Sequence, residues 1–408
     1  MSSEQKSLEG FDGDSSPETE TREVRIGNMG DVVTGGTPST KDEDNYGGDF
    51  PFMRVSDFNN TPFIQETGKK LTKKGRKEKK NKEIPEGAVM VSCIGTLGKT
   101  AFATENCLTN QQVNSIVPAE DFDNWYVYYK LTSNRNLLQK YAGGSAQPIL
   151  SKSRFTDIEL EVQPYESQKK IGEILSRFDK KIRINNRINK ILEKMAQTVF
   201  KAWFVDFEQS ESPKIIDSRE GSKDFEYKPL SEIASFQNGK AWKDYTGEDN
   251  GLPVLKIREL RDGISENTDY VDRGKVPDFL IVSSGDIIFS WSATLLIDIW
   301  TGRDMFLNQH LFKVRSENYP KWFYYHWTKE HIQHFRHIAE SKKTTMGHIK
   351  RRDLDEAMCS VPERIKFGSF LGNFLDAIKI LAEENTKLES IRDTLLPKLM
   401  SGEIRVNT

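Results

Sequence analysis

The same ordered set of short motifs occurs twice in this 408-residue chain, at a nearly constant interval. Pro85-Glu-Gly-Ala-Val-Met-Val-Ser92 aligns with Ser283-Ser-Gly-Asp-Ile-Ile-Phe-Ser290 at an offset of 198. That offset also carries Asn110-Gln111-Gln112 onto Asn308-Gln309-His310 and Pro164 onto Pro362. At 197, Trp125-Tyr-Val-Tyr128 lands on Trp322-Phe-Tyr-Tyr325 and Phe178-Asp179 on Leu375-Asp376; at 196, Leu192-Glu193 lands on Leu388-Glu389. Gly35 matches Gly239 at 204 and Pro51 matches Pro253 at 202, so small insertions fall in the N-terminal loops. Any one match is trivial, but an ordered series over about 180 residues marks an internal duplication.

Each half has the same internal order. About 140 residues of short β-like runs, such as Ala88–Ser92 and Asp286–Ser290, are punctuated by Gly, Asn and Pro. Aromatic helical stretches follow at 124–140 and 321–337. After Pro164 or Pro362 comes a long heptad segment, roughly 167–204 and 363–400. The first seam reads Ile171, Leu175, Phe178, Ile182, Asn185, Asn189, Leu192, Ala196, Val199 and Trp203. The second reads Phe367, Leu371, Phe374, Ile378, Leu381, Asn385, Leu388, Arg392, Leu395 and Leu399. Alternating steps of 4 and 3 keep one stripe against a partner helix. A ~36-residue helix is about 54 Å long. Each helix could pack only onto its own domain, but pairing between the repeats explains both the duplication and the matched lengths. Asn189 and Asn385 occupy equivalent seam positions, where a polar residue commonly fixes register.

The expected fold is α+β: two β-rich domains (21–163 and 225–361), each followed by a long helix (164–207 and 362–408), in a pseudo-twofold repeat. Residues 208–224 read as a linker. Residues 1–20 hold six acids against Lys6 and read as a disordered acidic tail. No run approaches ~18 uninterrupted apolar residues, so no membrane span is expected, and the N-terminus lacks a signal-peptide pattern. Cys93, Cys107 and Cys359 have no metal-ligand spacing and fit a reducing cytoplasm.

The net charge of -2, from 59 basic and 61 acidic residues, would argue against a nucleic-acid partner if charge were evenly spread. It is not. Residues 69–82 carry nine basic side chains against the single acid Glu78, and a second basic group is Lys342, Lys343, Lys350, Arg351 and Arg352. The first stretch reads either as a solvated loop or as an arm tracking DNA phosphates through Lys69, Lys70, Lys73, Lys74, Arg76 and Lys77. The Asn110-Gln111-Gln112 and Asn308-Gln309-His310 triplets have amides that can pair with adenine. Because both halves keep Asn-Gln, amides capping a turn in each copy is the favoured reading. The aromatic stretches read as helix-to-sheet core rather than base-stacking platforms.

Catalytic motifs do not emerge. Gly95-Thr-Leu-Gly98-Lys99-Thr100 looks like a phosphate loop, but the required first glycine is Cys93, and Ala293–Asp298 in the second half lacks Gly and Lys. A turn leaving a strand, with Lys99 near a phosphate backbone, is the alternative. All six histidines lie between 310 and 348; His331, His334 and His337 step by three without a zinc-binding signature, which favours a solvated or DNA-facing helix over a metal site. No metal is expected, and no amino-methyltransferase, dinucleotide-loop or nucleophile-elbow motif is present.

The constellation resembles the specificity subunit of type I restriction-modification systems. The residues carrying it are Gly35-Gly-Thr-Pro38, Pro85 to Lys99, Thr109-Asn-Gln-Gln112, Leu175-x-x-Phe-Asp179, Asn185-Asn186, Leu192-Glu193, Leu388-Glu-x-Ile391-Arg-Asp-x-Leu395 and Leu399-Met-Ser-Gly402, over residues 22–405. The second half departs by lacking the Gly-x-x-Gly-Lys turn. The resemblance implies two target-recognition domains reading the halves of a split DNA sequence. Between them runs an antiparallel coiled coil, paired through Ile171, Leu175, Phe178, Ile182, Asn189, Leu192, Leu371, Phe374, Ile378, Asn385, Leu388 and Leu395, which acts as a ruler. It implies a non-catalytic chain on double-stranded DNA, two modification subunits using S-adenosylmethionine, and two motor-nuclease subunits using ATP and Mg. The alternatives are an enzyme with unrecognised motifs, or a coiled-coil scaffold without DNA binding.

Overall fold

The computed structural model describes residues 21–406 apart from 60, 65, 144–147, 207–224, 247–250, 266, 293, 342–348 and 363–364. The acidic tail and the 208–224 linker therefore lie outside the described residues, as do Lys342 and Lys343. The chain divides into two compact units, residues 1–180 with 390–408, and 181–389. These cuts pass through both long helices rather than ahead of them, because each helix contributes one end to each core.

In unit 1 the strands are β1 (Arg22–Arg25), β2 (Gly30–Thr34), β3 (Tyr46–Met53), β4 (Lys69–Leu71), β5 (Val89–Ser92), β6 (Thr100–Phe102), β7 (Leu108–Thr109), β8 (Val113–Pro118) and β9 (Glu159–Val162). They form sheets ordered β2-β8-β5-β6, β4-β3-β7 and β1-β9. Val89–Ser92 is buried at every position, which is why its sequence is continuously apolar up to Ser92 rather than alternating. Helix α1 (Asn124–Ser133) follows, N-capped by Asp123, whose carboxylate accepts from the Tyr126 amide at 2.8 Å.

Unit 2 repeats the plan. Its strands are β10 (Phe225–Pro229), β11 (Ser235–Asn238), β12 (Leu252–Leu255), β13 (Tyr270–Val271), β14 (Ile281–Val282), β15 (Ile287–Ser290), β16 (Leu296–Ile299), β17 (Met305–Leu307), β18 (Leu311–Arg315) and β19 (Met358–Pro362). The sheets are β11-β18-β15-β16, β13-β12-β17-β14 and β10-β19. Strand for strand this is the order of unit 1, with β14 extending a pairing that unit 1 makes as the single Ile84–Cys107 bridge. Even the parallel pairing recurs: Phe52 with Leu108 and Met53 with Thr109 in one unit, Val254 with Phe306 and Leu255 with Leu307 in the other.

The long helices are α2 (Tyr165–Phe200) and α4 (Phe370–Met400), with α3 (Lys321–Ser341) before the second. In unit 1, Ile171 and Leu175 from the start of α2 share a core with Leu399 and Met400 from the end of α4. In unit 2 the roles exchange: Leu371 and Leu375 from the start of α4 join Ala196 and Phe200 from the end of α2. The helices run antiparallel within unit 2, where the Asn185 amide donates to Asn385 Oδ1 at 2.9 Å and to Glu384 at 2.8 Å. Asn385 in turn donates to Asn186 Oδ1 at 2.7 Å, and Asn189 donates to the Ile378 carbonyl at 3.3 Å. Asn385 is thus held by Asn185 and Asn186, not by Asn189, its repeat-equivalent. Ile171, Leu175, Ile182, Leu371 and Asn385 are buried, and Phe178, Asn189, Leu192, Phe374, Ile378, Leu388 and Leu395 are half-buried.

Helix α4 starts at Phe370, later than its heptad pattern, after a 3-10 turn over Ile365–Gly368. There the backbone presses on Trp322: a Cβ on Gly368 would lie 2.4 Å from the indole ring. The first helix leaves α geometry after Phe200 for a π turn over Lys201–Val205.

Candidate nucleic-acid interface

In both units the Asn-Gln triplet forms the turn between a short strand and the long central strand of the large sheet. The Val113 amide donates to the Asn110 carbonyl at 3.1 Å, and the Leu311 amide to the Asn308 carbonyl at 3.0 Å. A glycine packs on each turn. A Cβ on Gly35 or on Gly239 would sit 2.2 Å from the carbonyl of Asn110 or Asn308, so no other residue fits without displacing the turn. This contact is the physical reason the glycine and the Asn-Gln recur together. Asn110 Nδ2 donates to Gln112 Oε1 at 2.9 Å, and the His310 amide donates to Asn308 Oδ1 at 3.3 Å. The amides of Asn110, Gln112 and Asn308 thus hold the turn, while Gln111 and Gln309 are exposed and His310 is half-buried. Gln111 accepts from the Thr37 hydroxyl, Gln309 contacts the His310 ring at 3.3 Å, and that ring meets Ser292 Oγ at 3.2 Å.

Gly95–Lys99 is a hairpin turn between β5 and β6, not a strand-to-helix loop. Both Gly95 and Gly98 have positive φ, as a tight turn requires. Lys99 is half-buried with Nζ donating to the Phe58 carbonyl at 3.3 Å, which occupies it within the protein.

The basic stretch of unit 1 is ordered as β4, a helix over Lys73–Glu78 and a 3-10 turn over Lys80–Lys82. Thr72 caps the helix by accepting from the Gly75 amide at 3.3 Å. Lys74 pairs with Asp42 at 2.7 Å and Asp44 at 3.4 Å; Arg76 pairs with Glu83 at 2.6 Å and lies 4.2 Å from the Phe50 ring centroid. Lys79 pairs with Glu78 at 3.2 Å, and Lys69 sits 5.2 Å from the Tyr46 ring. Lys74 and Arg76 are therefore anchors of the segment rather than free charges. Lys70, Lys73, Lys77, Lys80 and Lys82 have no ion pair among the described residues, and all but the half-buried Lys82 are exposed. Lys80 and Lys82 were not singled out by sequence, although they belong to the same charge run. The Gly35–Ser39 loop lies against this segment: the Ser39 amide donates to Glu78 at 3.1 Å, and Lys79 and Lys82 carbons would approach a Cβ on Gly36 at 3.5 and 3.6 Å.

In unit 2, Lys350, Arg351 and Arg352 are exposed at the start of a short helix, Arg351–Glu356, with Arg352 paired to Glu356 at 3.4 Å. The Ile349 amide donates to the Trp291 carbonyl, and the Trp291 amide to the His310 carbonyl, tying this segment to the Asn-Gln-His turn. Unit 1 has the same ladder: Leu150 to Cys93 to Gln112, leading into a helix over Lys152–Asp157. Exposed Lys152 is thus the counterpart of Arg351 that charge-run reading missed, and exposed Arg154 stands on the same helix where unit 2 has Asp353. An offset of 199, which maps Leu150 onto Ile349, would have found Lys152.

Two of the histidines, His326 and His331, serve the core. His326 Nδ1 lies 2.9 Å from Gln197 Oε1 and the ring stacks on Phe200; burial lowers its pKa to about 3. His331 contacts the Met358 carbonyl at 3.1 Å, and burial lowers it to about 4; His334 and His337 are exposed. The three cysteines are buried and unpaired, with burial raising Cys93 to about 11 and Cys107 to about 12, far from a reactive thiolate. The aromatic stretches form core: Tyr126, Tyr129, Tyr325 and Phe323 are fully buried.

The family model described as type I restriction modification DNA specificity domain matches residues 18–194 and again 222–390. The chain is 28% identical over 404 residues to the type I restriction enzyme MjaIX specificity subunit of Methanocaldococcus jannaschii, covering 94% of this chain and 93% of that one. It is 31% identical over 174 residues to the HindI specificity subunit of Haemophilus influenzae, covering 41% of this chain and 38% of that one. In fold it is similar to the crystal structure of the type I restriction-modification S subunit from M. genitalium, with TM-score 0.55 at 15% identity, covering 97% and 98% of the two chains.

Proposed function

This chain belongs to the type I restriction-modification DNA specificity family, and from that premise we propose that its two units read the two halves of one split DNA target for partner chains that do the chemistry. The observation that carries the reading is the repetition itself. One sheet order, one glycine-backed turn and one short helix opening on an exposed cation occur in each unit, while the side chains around them differ. Equivalent scaffolds with different surfaces suit two unlike half-sites.

The helices α2 and α4 set the length of the unread gap in this reading, and α2 also offers a docking face. Ile184, Ile188, Ile191 and Met195 are exposed at 4-3-4 spacing on its surface, to one side of the seam. An open groove of about 630 Å³ beside them is lined by Arg187, Lys190, Lys194 and Val199. An apolar stripe flanked by cations suits an amphipathic helix with acidic flanks from a modification subunit. S-adenosylmethionine belongs to that subunit, and ATP and Mg to the motor-nuclease subunits, two copies of each partner matching the two-fold repeat. No described helix is long and apolar enough to cross a membrane. Buried free thiols suit a reducing compartment, so we place the chain in the cytoplasm.

Electrophoretic shifts with duplex DNA, with and without the modification subunit, test the reading. Retarded complexes that weaken with salt are expected; absence of binding at every salt concentration in both mixtures contradicts it. Ile188→Glu with Ile191→Glu should abolish co-elution with the modification subunit on size exclusion. Unchanged co-elution would remove the stripe from the docking face.

A further inference from the structure

The two units carry unlike electrostatics at the same place in the fold. In each, the small sheet ends on an outer strand, β4 or β13, antiparallel to its neighbour and followed by a helical turn. In unit 1 the segment 69–82 has nine cations and one anion. In unit 2 the corresponding segment 270–282 has two cations, Arg273 and Lys275, and two anions, Asp272 and Asp278. Both unit 2 cations are paired, Arg273 with Asp278 at 3.3 Å and Lys275 with Asp272 at 3.6 Å. In unit 1 the nearby carboxylates of Asp42, Asp44, Glu78 and Glu83 are already used by Lys74, Lys79 and Arg76. Six lysines remain without an ion pair among the described residues; Lys69 lies over the Tyr46 ring, which leaves Lys70, Lys73, Lys77, Lys80 and Lys82.

Such a cluster works against folding. Like charges repel, and Lys73 stands in the first turn of its helix, where the helix dipole disfavours a cation. A polyanion relieves both. The lysines are compact point charges on a three-dimensional turn, suited to phosphates and carrying no base readout.

Resting on the specificity reading above, we propose that segment 69–82 is a phosphate clamp that makes unit 1 the electrostatic anchor of the molecule, while the corresponding segment 270–282 of unit 2 adds no net charge at its half-site. Unit 1 supplies most of the sequence-independent affinity and most of its salt dependence. Unit 2 contributes selectivity with little salt dependence of its own.

The test uses the full chain bound to its modification subunit, with target and random duplexes titrated from 50 to 200 mM salt by fluorescence anisotropy. Each phosphate contact adds about 0.9 to the slope of log K against log salt, so five add about 4. Replacing Lys70, Lys73, Lys77, Lys80 and Lys82 with Ala should lower the slope by about 4 and weaken target and random duplex by the same factor, at least about tenfold at low salt. The five Lys→Arg replacements should restore the slope, which separates charge from folding. Arg273→Ala with Lys275→Ala should leave it unchanged. A five-alanine variant that keeps the wild-type slope while still preferring target overturns the clamp alone, as does an equal loss from the unit 2 pair. If the wild-type complex does not prefer target over random duplex, the specificity reading fails with it.

Discussion

Single side chains at the helix-to-domain contacts determine how firmly each unit is built. In unit 1, Asp179 accepts from the Tyr129 hydroxyl and from Arg392, with Asp179 almost wholly buried. Burial raises the Asp179 pKa, and Arg392 and Tyr129 pull it back. Arg392→Ala strands that carboxylate and should cost about 3 kcal/mol in the unit 1 melting transition by calorimetry. The double variant Asp179→Leu/Arg392→Met should recover most of it; an equal loss in both would show that the pair is not what matters. In unit 2, His326 is held neutral by burial, so the unfolded chain binds its proton first. The stability it contributes is full above about pH 6.5 and drains away down to about pH 3, at up to about 1.4 kcal/mol per pH unit. His326→Gln should flatten the acid dependence of melting between those values. The residue scale was partly legible in sequence: the recurrence of Asn-Gln with Gly exposed a shared turn. The pairing of Lys74 and Arg76 was not legible, because it depends on where the 42–44 loop and Glu83 fold back.

At the scale of elements, the 4-3 spacing located both long helices because it reports which positions must be covered, and the seam positions described are buried or half-buried. It did not locate their ends. An apolar count cannot see that Gly368 is pressed on Trp322, or that the chain leaves α geometry after Phe200. Nor could it choose the polar partners, since Asn385 meets Asn185 and Asn186 across the pair. Asn385→Ala removes two of these hydrogen bonds and should destabilise unit 2 by about 1–3 kcal/mol in denaturant unfolding. Because opposite segments face each other, a heptad is best removed from both helices, residues 182–188 with 382–388. That takes about 10 Å from each helix, roughly 3 base pairs. Sequencing of methylated sites should show a shorter gap between unchanged half-sites; changed half-sites with an unchanged gap would contradict the ruler.

For the molecule as a whole, the net charge of -2 is an average over unlike parts. One unit exposes an unpaired lysine cluster and the other neutralises the same position with its own carboxylates. The duplication was fully visible in sequence and gave the repeated architecture, since offset matches survive divergence at turns and core positions. The difference between the copies was visible only as a charge count, and became physical once each ion pair had a partner. In the proposed reading, two unlike half-site readers share one repeated scaffold. The most direct test is methylome sequencing of cells carrying this chain with a modification subunit, beside cells in which residues 225–361 are replaced by the same region of a related subunit. One split, asymmetric methylated motif is expected, with only one half changed by the replacement. A continuous motif, or a replacement that alters both halves, would contradict that reading.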